Sequence, residues 1–126
     1  RLKLIYDDII TLIDKYNPEE LSIERLYFNT NTTTAIDVAQ ARGVIVMAAY
    51  GKGLTVNEYT PLQVKQAVTG YGKAEKRQVM EMVKNLLSLK SVPKPDDTAD
   101  ALALAICHGH YAGSGVSRIL RKEQTK

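Results

Sequence analysis

The chain has 126 residues, which is within the usual size of one compact domain, and 44% of them are hydrophobic. Its single cysteine, Cys107, cannot form an intrachain disulfide, and no apolar stretch approaches the roughly 20 residues that span a bilayer. These features exclude a disulfide scaffold and a transmembrane protein. We therefore expect a soluble, cytoplasmic protein with no membrane partner and with Cys107 in its core.

The first half of the chain predicts a helix, a strand and a second helix. Apolar residues at three- and four-residue steps indicate a helix over residues 1–16, which Asn17-Pro18 ends. The segment "ELSIERLYF", residues 20–28, alternates as a strand does. A polar loop, "NTNTTT", then leads to a helix over residues 35–50 that is apolar on nearly all sides.

The second half predicts a short strand, "LTVNEY", followed by three helices. In "TPLQ", Thr60 is expected to cap a short helix, with Gln63 reaching back to it. Two glycines end that helix, and longer helices are predicted over residues 74–89 and 97–110. The order indicates an α/β domain over residues 1–112, followed by a basic tail, residues 113–126, that we expect to be flexible.

The charge of the chain is unevenly distributed, although its formal net value is only +3. Residues 65–90 contain six basic and two acidic side chains, net +4, whereas residues 91–110 contain one basic and three acidic, net −2. A basic flank beside an acidic centre suits a polyanion held near a cation. Charge alone favours the alternative, a solvated helix face.

Three aspartates open the last helix, in "PKPDDTADALALAICHGH". Asp97 (or Asp96) as an N-cap would stabilise the helix by about 1 kcal/mol. Asp97 and Asp100 are three residues apart and share a face, where two carboxylates repel by about 3 kcal/mol if the site is poorly solvated. This cost favours a bound cation, with Glu24 as a third ligand. The alternative for Glu24 is a solvent-facing strand residue paired with a basic side chain.

The pair His108 and His110 is predicted not to bind a metal jointly, because residues two apart do not face each other on a helix. We interpret both as cations at the helix C-terminus that interact with its last carbonyl groups.

Four segments, "SIERLYF", "AQARGV", "QVKQAVTGYGKAEKRQV" and "DDTADALALAICHGH", together resemble the RuvC family of Holliday-junction resolvases. The resemblance runs from residue 1 to about residue 110. It implies an RNase H-like fold, a mixed sheet of five strands flanked by helices. It also implies metal-dependent cleavage of four-way DNA junctions by a homodimer, with two Mg²⁺ (or Mn²⁺) ions per active site and a branch-migration complex as partner.

The resemblance also assigns residues. Glu24, Asp97 and Asp100 match catalytic, metal-binding carboxylates of the family. Two further sets match DNA-binding positions: an aromatic residue that stacks on bases, and basic residues that contact the backbone. These are Tyr27 (with Phe28 as an adjacent candidate), Lys65 and Lys76.

One departure from the family pattern is large. The family begins with a strand that carries its first catalytic aspartate in a "DPG" segment, and nothing here matches it. We therefore expect the first strands to be missing and this chain to be inactive by itself. The alternatives are a non-catalytic module that binds nucleic acid or self-associates, with helix 38–50 as a candidate dimer surface, and an RNase H-like nuclease acting on RNA.

Overall fold

The protein is described by a computed structural model over residues 1–25 and 32–112. In these residues there are five helices and two strands, which confirms the predicted α/β class. They are α1 Leu2–Tyr16, β1 Glu20–Glu24, α2 Thr32–Gly51, β2 Thr55–Tyr59, α3 Pro61–Thr69, α4 Lys76–Leu86 and α5 Asp96–Ala112. The chain divides into two compact units, residues 1–58 (unit 1) and residues 59–126 (unit 2).

Unit 1 is built around a small parallel sheet. Strands β1 and β2 are neighbours, and α2 connects them as a crossover helix. At the start of the ladder, the Thr55 N–H donates to the Glu19 carbonyl at 3.1 Å. Because the strands are parallel, their carboxyl ends meet at one edge, and Glu24 and Glu58 lie at the ends of β1 and β2.

The core of unit 1 is a cluster of Ile13, Ala49 and Leu54, with Ile9 and Leu21 packed against it. Helix α1 stops as predicted at Asn17, which adopts a left-handed conformation (φ 49°) and donates its N–H to the Ile13 carbonyl at 2.8 Å. Proline at the next position cannot continue the helix.

Helix α2 begins earlier than its sequence predicts. It starts at Thr32 rather than at residue 35. Threonine is a poor residue for a helix interior but is tolerated in the first turn, where the backbone N–H groups have no helical partner in any case. The polar sequence "NTNTTT" is therefore partly the start of a helix. No helix among the described residues is long and apolar enough to cross a membrane.

Unit 2 is a packed group of three helices. Val68 of α3, Val83 of α4 and Ala103 of α5 form its buried centre. The predicted cap of α3 is confirmed: Thr60 Oγ1 accepts from the Gln63 N–H at 3.1 Å, and Gln63 Oε1 accepts from the Thr60 N–H at 2.8 Å. This reciprocal pair is a capping box.

Helix α4 is shorter than the predicted range of 74–89. Gln78 Oε1 accepts the N–H of Glu75 at 2.7 Å, so Glu75 is the N-cap and the helix starts at Lys76, two residues after the predicted start. The helix ends at Leu86 because Ser88 turns into a left-handed conformation, φ 55°. Leu87 therefore follows the helix, and its side chain is 40% exposed.

Candidate active site

Glu24, the carboxylate assigned to unit 1, is the last residue of β1 and is exposed. It lies at the carboxyl edge of the parallel strands, where open α/β sheets commonly bind their ligands. Arg25 Nε lies 3.3 Å from Glu58 Oε1. The alternative, in which Glu24 pairs with a basic side chain, stays open. The role of Glu24 as a metal ligand stays a prediction.

Glu58 joins two cations at the same edge of the sheet. Its Oε1 contacts Arg25, and its Oε2 accepts a hydrogen bond from the guanidinium of Arg42 on α2. One carboxylate between two guanidinium groups leaves a net charge of about +1 at this position. The sequence reading missed this cluster, because its members come from three separate elements.

The aspartates assigned to unit 2 lie in the first two turns of α5. The helix begins at Asp96, so Asp97 is its second residue and cannot be the N-cap, which corrects the prediction. All three aspartates are exposed, whereas Ala99, Ala103 and Cys107 form the buried face of the helix. The assumption of a poorly solvated carboxylate pair is therefore wrong, and water screens much of the repulsion.

Lys76 is the basic residue that the structure brings to these aspartates. Its Nζ lies 3.8 Å from Asp96 Oδ2 and 3.6 Å from Asp100 Oδ2. The helical register explains the contact. Lys76 lies three and seven residues before Val79 and Val83, which pack toward α5, and so it shares their face of α4.

The second predicted DNA-binding lysine, Lys65, lies on α3 and is half-buried. The structure records no ion pair for it among the described residues, in contrast to Lys76. No carboxylate in the described residues forms an ion pair with its ammonium group, so the predicted contact with a DNA phosphate does not require an ion pair to be broken. Tyr27 and Phe28 lie outside the described residues, so their predicted stacking role stays a prediction.

His108 makes a contact that its sequence position does not predict. The Tyr59 hydroxyl and His108 Nδ1 are 2.6 Å apart, which is a side-chain hydrogen bond. The predicted interaction of both histidines with the last helical carbonyl groups stays a prediction. Tyr59 also stacks on Tyr111, with ring centroids 5.5 Å apart. The ring of His110 makes an edge contact with that of Tyr111, with ring centroids 5.4 Å apart. The separation of 49 positions between Tyr59 and His108 prevents sequence reasoning from predicting this aromatic group.

Cys107 is fully buried, which confirms the prediction of a core residue. Burial raises the pKa of its thiol to about 11, because the thiolate would lose its hydration. A nucleophilic cysteine requires the opposite shift.

The carboxylates of unit 2 have the donor chemistry of a hard divalent cation, since Mg²⁺ and Mn²⁺ prefer oxygen ligands. The ammonium group of Lys76 already acts as a cation beside Asp96 and Asp100. Across residues 1–25 and 32–112, no group of three or more His, Cys, Asp or Glu side chains is arranged to hold a metal ion. Glu24 belongs to unit 1 and the aspartates to unit 2, so the predicted site consists of two separately described parts.

The comparison with known proteins, rather than the arrangement of the acids, identifies the class of this chain as a family of nucleases. The family model "Crossover junction endodeoxyribonuclease RuvC" matches residues 1–108. The chain belongs to the RuvC family. Curated relatives of that name include those of Halothermothrix orenii (59% identity over 110 residues, 87% of this chain and 67% of the relative) and Brevibacillus brevis (60% over 111 residues, 88% and 67%).

Two solved structures of Thermus thermophilus RuvC are similar to this chain. One has a TM-score of 0.82 at 37% identity and covers 89% of this chain and 68% of the other. The second, a complex with Holliday junction substrate, has a TM-score of 0.83 at 37% identity, with 88% and 67% covered. These similarities confirm the predicted RNase H-like fold. The chain spans about two thirds of the length of these relatives.

Proposed function

We propose that this chain carries a large part of an endonuclease that resolves four-way (Holliday) DNA junctions in recombination and repair. The observation that carries the proposal is the similarity to the Thermus thermophilus RuvC solved with Holliday junction substrate, which extends over 88% of this chain. The reaction is hydrolysis of a DNA phosphodiester on two strands of the junction. Symmetric cutting requires two copies of the site, so the working form is a homodimer, acting with a branch-migration complex.

Glu24, Asp97 and Asp100 are the residues that would hold the cations, Mg²⁺ or Mn²⁺. When bound, such ions would help to activate the attacking water and would stabilise the leaving 3′ oxygen. The exposure of Asp97 and Asp100 keeps their carboxylates accessible to a hydrated ion. Their position at the start of α5, rather than in a loop, fixes their spacing to one turn of helix.

DNA binding is supported by the basic surface of unit 2. Residues 65–90 have a net charge of +4 from six basic and two acidic side chains, and they include Lys65 and Lys76. Lysines that neutralise phosphates release counterions, which makes binding strongly salt-dependent. In the proposal, Tyr27 or Phe28 stacks on bases near the cut and thereby holds the junction open.

The 126-residue chain by itself is proposed to cut DNA poorly. It provides three of the four carboxylates that the family resemblance implies. A site that lacks one of its carboxylates would hold its cations more weakly and would place the attacking water less well. Robust nicking of a synthetic four-way junction by the purified chain in Mg²⁺ or Mn²⁺ would contradict this part of the proposal.

Junction binding without metal is the main test. In EDTA, the chain should shift a four-way junction in a native gel and prefer it to a linear duplex of the same sequence. Lys65→Gln should reduce the slope of log K against log salt concentration by about 0.9, the value of one phosphate contact. Lys15→Gln on α1 is the matched control with the same charge change and should leave the slope unchanged. Equal binding of the linear duplex would rule out junction recognition by this chain.

A second candidate function is a non-catalytic module that binds nucleic acid and self-associates. The exposure of Ile36, Met47 and Tyr50 on α2 favours it, because self-association would bury this apolar surface. Sedimentation at rising concentration separates the candidates. Association without any junction preference supports the module alone. Binding of structured RNA in preference to branched DNA would instead support an RNase H-like nuclease acting on RNA.

A further inference from the structure

Asp96 has no role in the proposed set of metal ligands, yet it lies against the same lysine as Asp100. Lys76 Nζ is 3.8 Å from Asp96 Oδ2 and 3.6 Å from Asp100 Oδ2. Asp96 and Asp100 are four residues apart and share one face of α5, so a single ammonium group can contact both. Asp100 is also three residues from Asp97. It therefore lies next to the other proposed metal ligand as well as to Lys76.

The position of Lys76 in its own helix makes this contact more informative. Lys76 is the first residue of α4, at the end of the helix where the backbone dipole is positive and a cation is unfavourable. Glu75, the N-cap residue of α4, is acidic and offsets part of this repulsion. The carboxylates of α5 offset a further part, because the ammonium group of Lys76 lies within 4 Å of two of them.

We propose that Lys76 is the counter-ion of Asp96 and Asp100 while no divalent cation is bound, and that a cation entering at Asp100 displaces its ammonium group. Asp96 then acts as a positioning residue, because it is the remaining carboxylate that holds Lys76 beside the site. The proposal rests on the proposed function, since it takes Asp97 and Asp100 as ligands. It adds an exchange: metal binding releases a lysine toward the phosphate to be cut.

The exchange predicts that Lys76 weakens metal binding. Exposed ion pairs of this kind shift an equilibrium by a factor of about 1.5–5. Lys76→Gln should therefore bind Mn²⁺ about two- to fivefold more tightly than the unchanged chain, as measured by calorimetry. Lys84→Gln is the matched control: it removes the same charge two turns further along α4, and no ion pair of Lys84 is recorded in the described residues.

A direct measurement follows the lysine itself. In ¹H–¹³C spectra of the chain, the Cε signal of Lys76, assigned from its loss in Lys76→Gln, should move on Mg²⁺ titration in parallel with the backbone amide of Asp100. The Cε signal of Lys84 should stay in place. In Asp96→Asn, the Lys76 signal should move further at saturation, because no carboxylate then retains the ammonium group. Lys76→Arg should restore the weaker metal affinity, which a purely structural role would not require.

Three results would overturn the inference. One is a Lys76 signal that is unchanged when the Asp100 amide has saturated. Another is an equal Mn²⁺ affinity of Lys76→Gln and Lys84→Gln. The third is an Asp100 amide that does not respond to Mg²⁺ at all, since the exchange requires a cation there. The first two leave the proposed function intact, whereas the third also removes Asp100 from its metal site. Junction binding in EDTA is independent of all three.

Discussion

The two units of the chain bury their apolar side chains to different extents. In unit 2, Val83 and Cys107 are completely inaccessible to solvent. In unit 1 the most deeply buried residues are two alanines, Ala48 and Ala49. Of the twelve exposed large hydrophobic side chains in the described residues, eight belong to unit 1 and four to unit 2. They are Leu4, Tyr6, Leu12, Tyr16, Ile36, Val38, Met47 and Tyr50 in unit 1, and Leu62, Tyr71, Leu86 and Leu87 in unit 2.

This difference in burial indicates which part of the candidate site is held by the more tightly packed elements. Asp97, Asp100 and Lys76 stand on helices that pack around a closed apolar centre. Glu24 stands on a strand of a two-stranded sheet, and sheets of this size are only marginally stable without further packing. Regions with fewer buried contacts open at lower free energy. We therefore expect the aspartate half of the site to be preformed more rigidly than the Glu24 half.

The largest expected effect comes from the closed core. Val83→Ala should lower the free energy of unfolding by about 3 kcal/mol, because it removes two fully buried methyl groups and leaves a cavity that neighbours cannot fill. Leu12→Ala in unit 1 removes more atoms but should cost less than about 1 kcal/mol, since Leu12 is 50% exposed. Urea unfolding monitored by circular dichroism measures both.

The same two variants also test whether the apolar surface of unit 1 is exposed in solution. If Leu12→Ala costs as much as Val83→Ala, the surface of unit 1 is covered in solution by another copy of the chain. The cost of Leu12→Ala should then rise with protein concentration, whereas that of Val83→Ala should not.

The second largest effect is a pH dependence of the free energy of unfolding, which tests whether water reaches the core of unit 2. Burial raises the pKa of Cys107 from its ordinary value of 9.0 to about 11. Between these values the folded chain keeps a proton that the unfolded chain has lost, so stability falls as pH rises. The contribution of Cys107 to the free energy of unfolding should be constant below pH 9 and should decrease by about 2 kcal/mol by pH 11.

Cys107→Ala provides the control for the other groups that titrate in this range. The tyrosines and lysines are common to both chains, so the difference between the two pH profiles isolates the thiol. Parallel profiles from pH 8 to pH 11 would show that water reaches Cys107, and unit 2 would then be less closed than its packing indicates.

The features that could be predicted from sequence are those set by neighbouring residues. The stop at Asn17 and the capping box of Thr60 and Gln63 depend on four or fewer consecutive residues, and both are confirmed. Cys107 was also placed correctly, because small apolar residues recur along one face of α5. The family itself could be predicted because several short segments occur in a fixed order, which no single acidic motif provides.

What failed depends on packing between distant residues. Leu86 and Leu87 fit the apolar period of α4, but the helix ends at Leu86 and leaves both exposed. The apolar run after Asp97 and Asp100 predicts poor solvation of their carboxylates, but both residues are exposed. The buried face of α5 is narrower than that run suggests. The contact of Lys76 with Asp96 and Asp100 was missed for the same reason, since sequence does not show which helices are neighbours.

The smallest expected effect on stability concerns the open surface of unit 1. Met47 is 68% exposed and lines an apolar groove of about 550 Å³ between α1 and α2, together with Leu2, Tyr6 and Val44. Met47→Glu should change the free energy of unfolding by less than about 0.5 kcal/mol. It should nevertheless reduce the fluorescence of ANS, an anionic dye that binds exposed apolar surface, because a carboxylate then replaces an apolar side chain of the groove and repels the dye.

Leu62→Glu makes the corresponding change in unit 2, where Leu62 is 52% exposed and does not line this groove. It should leave ANS binding nearly unchanged, so the two variants compare the units with one dye. An equal loss of fluorescence in both would mean that the apolar surface is spread over the chain rather than concentrated in unit 1. An unchanged signal in both would mean that the groove is filled in solution, and self-association of unit 1 would then be the first explanation to examine by sedimentation.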